Sequence, residues 1–143
     1  MLLEGIHLYY GTGKAWGMAY KILIVDDSKL ARMAVAKALN AKHADLSRLE
    51  ASNADEALAL AKSDSFDLAI LDYNMPGRDG LELAAELIAL KPQLPLAVIS
   101  ANHQVEVVTK AREVGATFLQ KPLTEKALAD FLADALKRLS VAT

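Results

Sequence analysis

The sequence predicts an α/β fold: an open, doubly wound parallel sheet of five strands with helices on both faces. Three observations carry this. Short β-rich apolar runs alternate with helical stretches five times between Tyr20 and Leu139. The runs at 22–25, 66–71 and 96–99 contain almost no polar residue, as expected of strands covered on both faces rather than one. Helix-start residues (Asp27 or Ser28, Asn53, Asp79) follow three of the runs, and strand–helix–strand units of this length lay successive strands parallel.

Each element follows from its own residues. Ile22–Val25 is a continuous apolar run and reads as a buried strand. Asp27 or Ser28 caps a helix running to about Asn40. Arg48–Ala51 alternates polar and apolar, which suits an edge strand. Asn53 with Glu56 three residues later resembles a capping box, and Ala54, Ala57, Leu58 and Ala61 follow at helical spacing. Phe66–Leu71 is a second buried strand. Asp79 with Glu82 repeats the cap signal before a helix to about Leu90, which Pro92 stops. Leu96–Ile99 is a third apolar run. A helix spans roughly His103–Val114, and Gly115 stands where a left-handed C-terminal residue belongs. Thr117–Leu119 is a short strand. Leu128, Phe131, Leu132, Ala135, Leu136 and Leu139 then form a stripe at the helical period.

Composition excludes several classes. A chain of 143 residues is one domain's worth, and 53% hydrophobic against 24% charged residues favours a packed core over disorder. Lys and Arg number 16 against 18 Asp and Glu, for a net charge of −2, so no basic field exists for direct DNA binding or for an anionic membrane. The absence of cysteine removes disulfides, thiol catalysis and cysteine-held metals. His7, His43 and His103 are the only histidines, and no two stand at metal-ligand spacing. No apolar run approaches the roughly 20 residues of a membrane span, so no membrane insertion is expected.

Residues 1–17 stand apart, with Gly5, Gly11, Gly13 and Gly17 beside Tyr9, Tyr10 and Trp16. Gly11–Lys14 resembles a phosphate loop but lacks its first glycine, and Ala15 follows the lysine where Ser or Thr belongs. The segment reads as a flexible extension, a cloning remnant or the product of a start codon placed too early. Met18 is then the natural start, and the domain is expected over 18–143.

In an open parallel sheet, ligands bind beyond the carboxyl ends of the strands. At those ends stand Asp26 and Asp27, then Asp72, Ser100 and Lys121. Three carboxylates in one cleft repel one another unless a cation neutralises them. An oxygen-only set suits Mg²⁺, or Mn²⁺ in its place. Lys121 adds a fixed positive charge and Ser100 a hydroxyl donor, a set complementary to a phosphoryl group on Asp72. Each residue alone has a plainer reading as a helix cap, a turn or a loop. Their arrival together at successive strand ends is what carries weight.

Ile24–Ser28, Leu71–Gly80, Val98–Ala101 and Lys121-Pro122 together resemble the receiver domain of bacterial two-component response regulators, over about Tyr20–Leu139. The resemblance implies a flavodoxin-like (βα)5 fold with strand order 2-1-3-4-5. It implies that Asp72 is the phosphoacceptor, taking the group from the phosphohistidine of a histidine kinase or phosphotransfer protein. Asp27 and Asp72 would be direct Mg²⁺ ligands with the backbone carbonyl of Asn74, and Asp26 would hold the ion through water. Ser100 and Lys121 would contact phosphoryl oxygens, and the bond before Pro122 would be cis. Phe118 falls at the aromatic switch position, as Phe rather than Tyr, and Ser100 replaces the commoner Thr. Downstream partners would read the face of the fourth helix, fifth strand and fifth helix. Leu30, Met33 and Ala34 border the inward stripe of the first helix. They are either edge-of-core packing or a docking patch for the phosphoryl donor.

The resemblance further implies a cytoplasmic signalling protein, monomeric or weakly dimeric, that catalyses only its own phosphorylation and dephosphorylation. An aspartyl phosphatase would need a second Asp at position 74, where Asn stands, and a dinucleotide-binding turn would need glycine within 26–29. A phosphate-independent module of this fold would usually have lost an acid or the lysine. The ending at Thr143 favours a stand-alone receiver over a domain excised from a larger regulator or hybrid kinase.

Overall fold

The structure is a computed structural model and describes residues 20–43 and 45–141. The extension at 1–17 and the start at Met18 lie outside the described residues. The elements are β1 (Lys21–Val25), α1 (Lys29–Lys42), β2 (Ser47–Ala51), α2 (Ala54–Ser63), β3 (Leu68–Asp72), α3 (Gly80–Leu90), β4 (Leu96–Ser100), α4 (Val105–Glu113), β5 (Thr117–Gln120) and α5 (Glu125–Val141). All strand pairs are parallel, in the order β2-β1-β3-β4-β5. The predicted fold class and strand order are both found.

The period of two along the inner strands explains the double winding. Leu23, Val25, Ala69, Leu71, Leu96 and Val98 face one way and pack with Ala54 and Ala57 of α2, Leu83 and Leu87 of α3, and Ala111 of α4. Ile22, Ile24, Leu68, Ile70, Ala97 and Ile99 face the other way, onto Leu39 of α1 and Leu128, Phe131, Leu132 and Ala135 of α5. Strands covered on both faces have no polar positions to alternate, and β3 and β4 are buried at every residue. β2 is exposed at Ser47, Arg48 and Glu50, as its edge position allows.

Several boundaries move for identifiable reasons. Ser28, not Asp27, caps α1: its Oγ accepts from Ala31 N at 3.2 Å, and the helix runs to Lys42 rather than Asn40. At α2, Asn53 accepts from Glu56 N, but the Glu56 carboxylate turns to the N–H and hydroxyl of Ser52, so the box does not close on its own cap. The Asp79–Glu82 box before α3 is complete. β3 begins at Leu68, two residues after Phe66, because Asp67 sends a carboxylate oxygen to Lys21 N at 2.8 Å and fixes the strand's entry. α4 begins at Val105, not His103, since Asn102 forms a turn by accepting from Gln104 N. β4 and β5 each run one residue further than expected, and Lys121 N donates to Ser100 O at 3.0 Å just past β5. Gly115 holds φ +91°, the left-handed region the sequence reserves for it. Among the described residues, no helix is long and apolar enough to cross a membrane.

Candidate functional site

Parallel pairing aligns the strand ends. Val25 lies beside both Ala51 and Leu71, Asp72 beside Ile99, and Ser100 beside Gln120. The residue that ends β3 or β4, or immediately follows β1 or β5, therefore falls on one rim. Asp26, Asp72, Ser100 and Lys121 are brought together there by topology across nearly a hundred residues of chain. Asp26 and Asp72 are 8% and 4% exposed and Ser100 is fully buried, so their chemistry is shielded from bulk water. Asp27 is exposed at the mouth.

The three acids form one cluster: each offers a carboxylate oxygen, and these oxygens lie within 4.8 Å of one another. Oxygen-only donors at a half-open rim fit a hard divalent cation that keeps several waters. Lys121 Nζ stands 2.8 Å from Asp72 Oδ1 as an ion pair. That oxygen has no aligned hydrogen bond, so the contact is one of charge rather than of lone-pair direction. Burial, above all, raises the Asp26 carboxyl above the ordinary range. The charges of Asp72 and Asp27 add to the rise, while the Ser28 N–H and Lys121 oppose it. The Ser28 N–H reaches Asp26 Oδ1 at 2.9 Å.

Ser100 Oγ accepts from Asn102 N at 2.9 Å, so its hydroxyl oxygen is engaged by the loop after β4. Asn74 lies exposed in the turn after β3, on the same rim. The Lys121–Pro122 bond is cis, as the resemblance implies. Phe118 is half-buried and packs against the core on the α2–α4 side of the sheet. Leu30 and Met33 are 77% and 53% exposed, and Ala34 is exposed too, so none of the three is core packing. Beside them a groove of about 580 Å³, lined by Ala31, Ala34, Val35, Pro122 and Leu123, ends at Asp26 and Lys121.

Two residues of the site escape sequence reasoning. A Cβ on Gly80 would overlap Asp72 O and meet Tyr73 Cα at 2.8 Å, so only glycine lets α3 start against the carbonyl of Asp72. The Gly80 N–H donates to Tyr73 O at 2.8 Å. A glycine just after the Asp79 cap was the available signal. Arg32 reaches back from α1 to Asp26 O, a contact that no spacing rule announces.

Comparison with known proteins agrees with this geometry. Residues 22–133 match the response regulator receiver domain family. The transcriptional regulatory protein PdtaR of Mycobacterium tuberculosis is 38% identical over 105 residues, covering 73% of this chain and 50% of that protein. The positive alginate biosynthesis regulatory protein of Pseudomonas aeruginosa is 39% identical over 123 residues, covering 83% and 46%. The chain thus spans about half the length of these curated relatives. Among solved structures, the chemotaxis protein CheY4 of Vibrio cholerae superposes with a TM-score of 0.73 at 29% identity, covering 82% of this chain and 98% of that one. A CheY-like receiver domain protein of Methanospirillum hungatei reaches a TM-score of 0.77 at 24% identity, covering 85% and 96%, a likeness of fold. With the match extending over all five strands and four of the helices, the chain belongs to the response regulator receiver domain family of two-component signalling.

Proposed function

We propose that this chain accepts a phosphoryl group on Asp72 from the phosphohistidine of a histidine kinase or phosphotransfer protein, and signals by the change of shape that follows. The observation that carries the reading is Asp72 itself: a carboxylate 4% exposed, set between two further acids and an ammonium 2.8 Å away. A structural ion pair needs only one acid. Two more beside it are an electrostatic cost unless a cation and an incoming anion are to be held there.

An Asp72 oxygen bonds to phosphorus as the phosphorus–nitrogen bond of the donor breaks, and the electron pair departs with the imidazole. Asp27, Asp72 and the carbonyl of Asn74 would hold Mg²⁺, with Asp26 acting through water. When bound, the ion neutralises charge on the transferring oxygens. Lys121 exchanges its contact with Asp72 for a phosphoryl oxygen. Ser100 turns its hydroxyl from the Asn102 N–H to donate to another, and Phe118 follows into the space left. Partners on the face of α4, β5 and α5 would distinguish the two states, which is what a population shift requires. Leu30, Met33 and Ala34, beside the groove that ends at Asp26 and Lys121, suit the docking of the donor. The reading carries with it a cytoplasmic location, where such donors act.

Acetyl phosphate with Mg²⁺ tests it by intact mass. The wild-type chain should gain one phosphoryl group, stable in acid and labile in base, and Asp72→Asn should gain none. Undiminished labelling of Asp72→Asn would overturn the assignment.

A further inference from the structure

The structure assigns Arg32 as a positioning residue that sets where Asp27 presents its carboxylate. This rests on the reading of the acid cluster given above. Arg32 lies one turn into α1, where a cation opposes the helix dipole, and α1 has no acid in its first turn to offset it. Its side chain is nevertheless only 14% exposed and is held at two points. Nε donates to Glu50 Oε1 of β2 at 2.9 Å, and Nη1 donates to Asp26 O at 2.6 Å. The guanidinium thus spans from the edge strand, across the end of β1, to one peptide carbonyl.

That carbonyl belongs to the peptide joining Asp26 to Asp27. The other groups of Asp26 are tied as well: its N–H donates to Ala51 O at 3.1 Å and its carboxylate accepts from Ser28 N. Asp27 has no such tie. Its carboxylate makes no hydrogen bond or ion pair among the described residues, so no side-chain partner fixes its place in the cluster and its backbone sets what its rotamers can reach. A rotation of the 26–27 peptide plane would swing the Asp27 Cα and move its oxygen relative to Asp26 and Asp72. Arg32 holds that plane, and Glu50 holds Arg32. The planar fork suits two acceptors in fixed directions, which an ammonium does not reproduce.

The test is Mg²⁺ titration of ¹⁵N-labelled protein, followed through backbone amide shifts. Arg32→Gln should stay folded, with metal-free shift changes concentrated at residues 26–28 and 50. Its Mg²⁺ affinity should fall by about tenfold or more, the usual effect of removing a partner that orients a ligand. Arg32→Lys keeps the charge and the helix, and decides the matter if Arg32→Gln does not fold. It should weaken Mg²⁺ by about tenfold as well. Wild-type affinity in either folded variant overturns the inference and leaves the proposed function standing. If the wild-type chain itself takes up no Mg²⁺, the reading of the acid cluster fails and the inference with it.

Discussion

Burial holds the Asp26 carboxyl above the ordinary carboxylate range, with Asp72 and Asp27 adding their charge. A carboxyl whose pKa is higher in the folded state binds its proton more tightly there. It therefore favours the fold at pH below its unfolded value, about 3.9, and that support is lost as pH rises through the raised folded value. At neutral pH the charged Asp26 opposes folding of the metal-free protein. Asp26→Asn, which keeps an oxygen for the Ser28 N–H, should raise Tm at pH 7 in the presence of a chelator. The gain should shrink as pH falls through the raised folded value, and should be largely gone by the unfolded value of about 3.9. Equal or lower Tm for Asp26→Asn at pH 7 would mean that the acid is solvated better than its burial indicates.

At the scale of elements, α3 is fitted to β3 through one missing side chain. A Cβ at Gly80 would overlap the backbone of Asp72 and Tyr73, which cannot swing aside as a side chain could. Gly80→Ala should destabilise by roughly 1–3 kcal/mol, the usual range for overpacking, and should slow acetyl phosphate labelling as Asp72 shifts. Denaturant unfolding and labelling rates measure the two effects. Unchanged stability would show that α3 retreats without strain. The same helix illustrates what was legible in the sequence. The Asp79–Glu82 box and the Pro92 stop are local signals, and they located α3 correctly. The start of α4 was misplaced because Asn102 uses its side chain on the turn, a choice between equally local options. β3 started late because Asp67 answers to Lys21, 46 residues away. Signals within one turn are readable where they admit one local option; partners across the sheet are not.

For the molecule as a whole, parallel topology converts sequence order into a site. Once five strands run the same way, the residues at their carboxyl ends must meet, and Asp26, Asp72, Ser100 and Lys121 could be named without coordinates. Arg32 could not, because its role depends on the Asp26 carbonyl and on Glu50 lying 18 residues away. Gly80 is visible only as a glycine beside the Asp79 cap, because the backbone it must clear belongs to Asp72 and Tyr73 and is met only in the fold. The central claim is that this rim makes Asp72 a phosphoacceptor, and reductive trapping addresses it most directly. After incubation with acetyl phosphate and Mg²⁺, borohydride treatment and peptide mass spectrometry should find one residue converted to homoserine, at position 72. Conversion at any other aspartate, or none at position 72 in folded protein, would contradict the account.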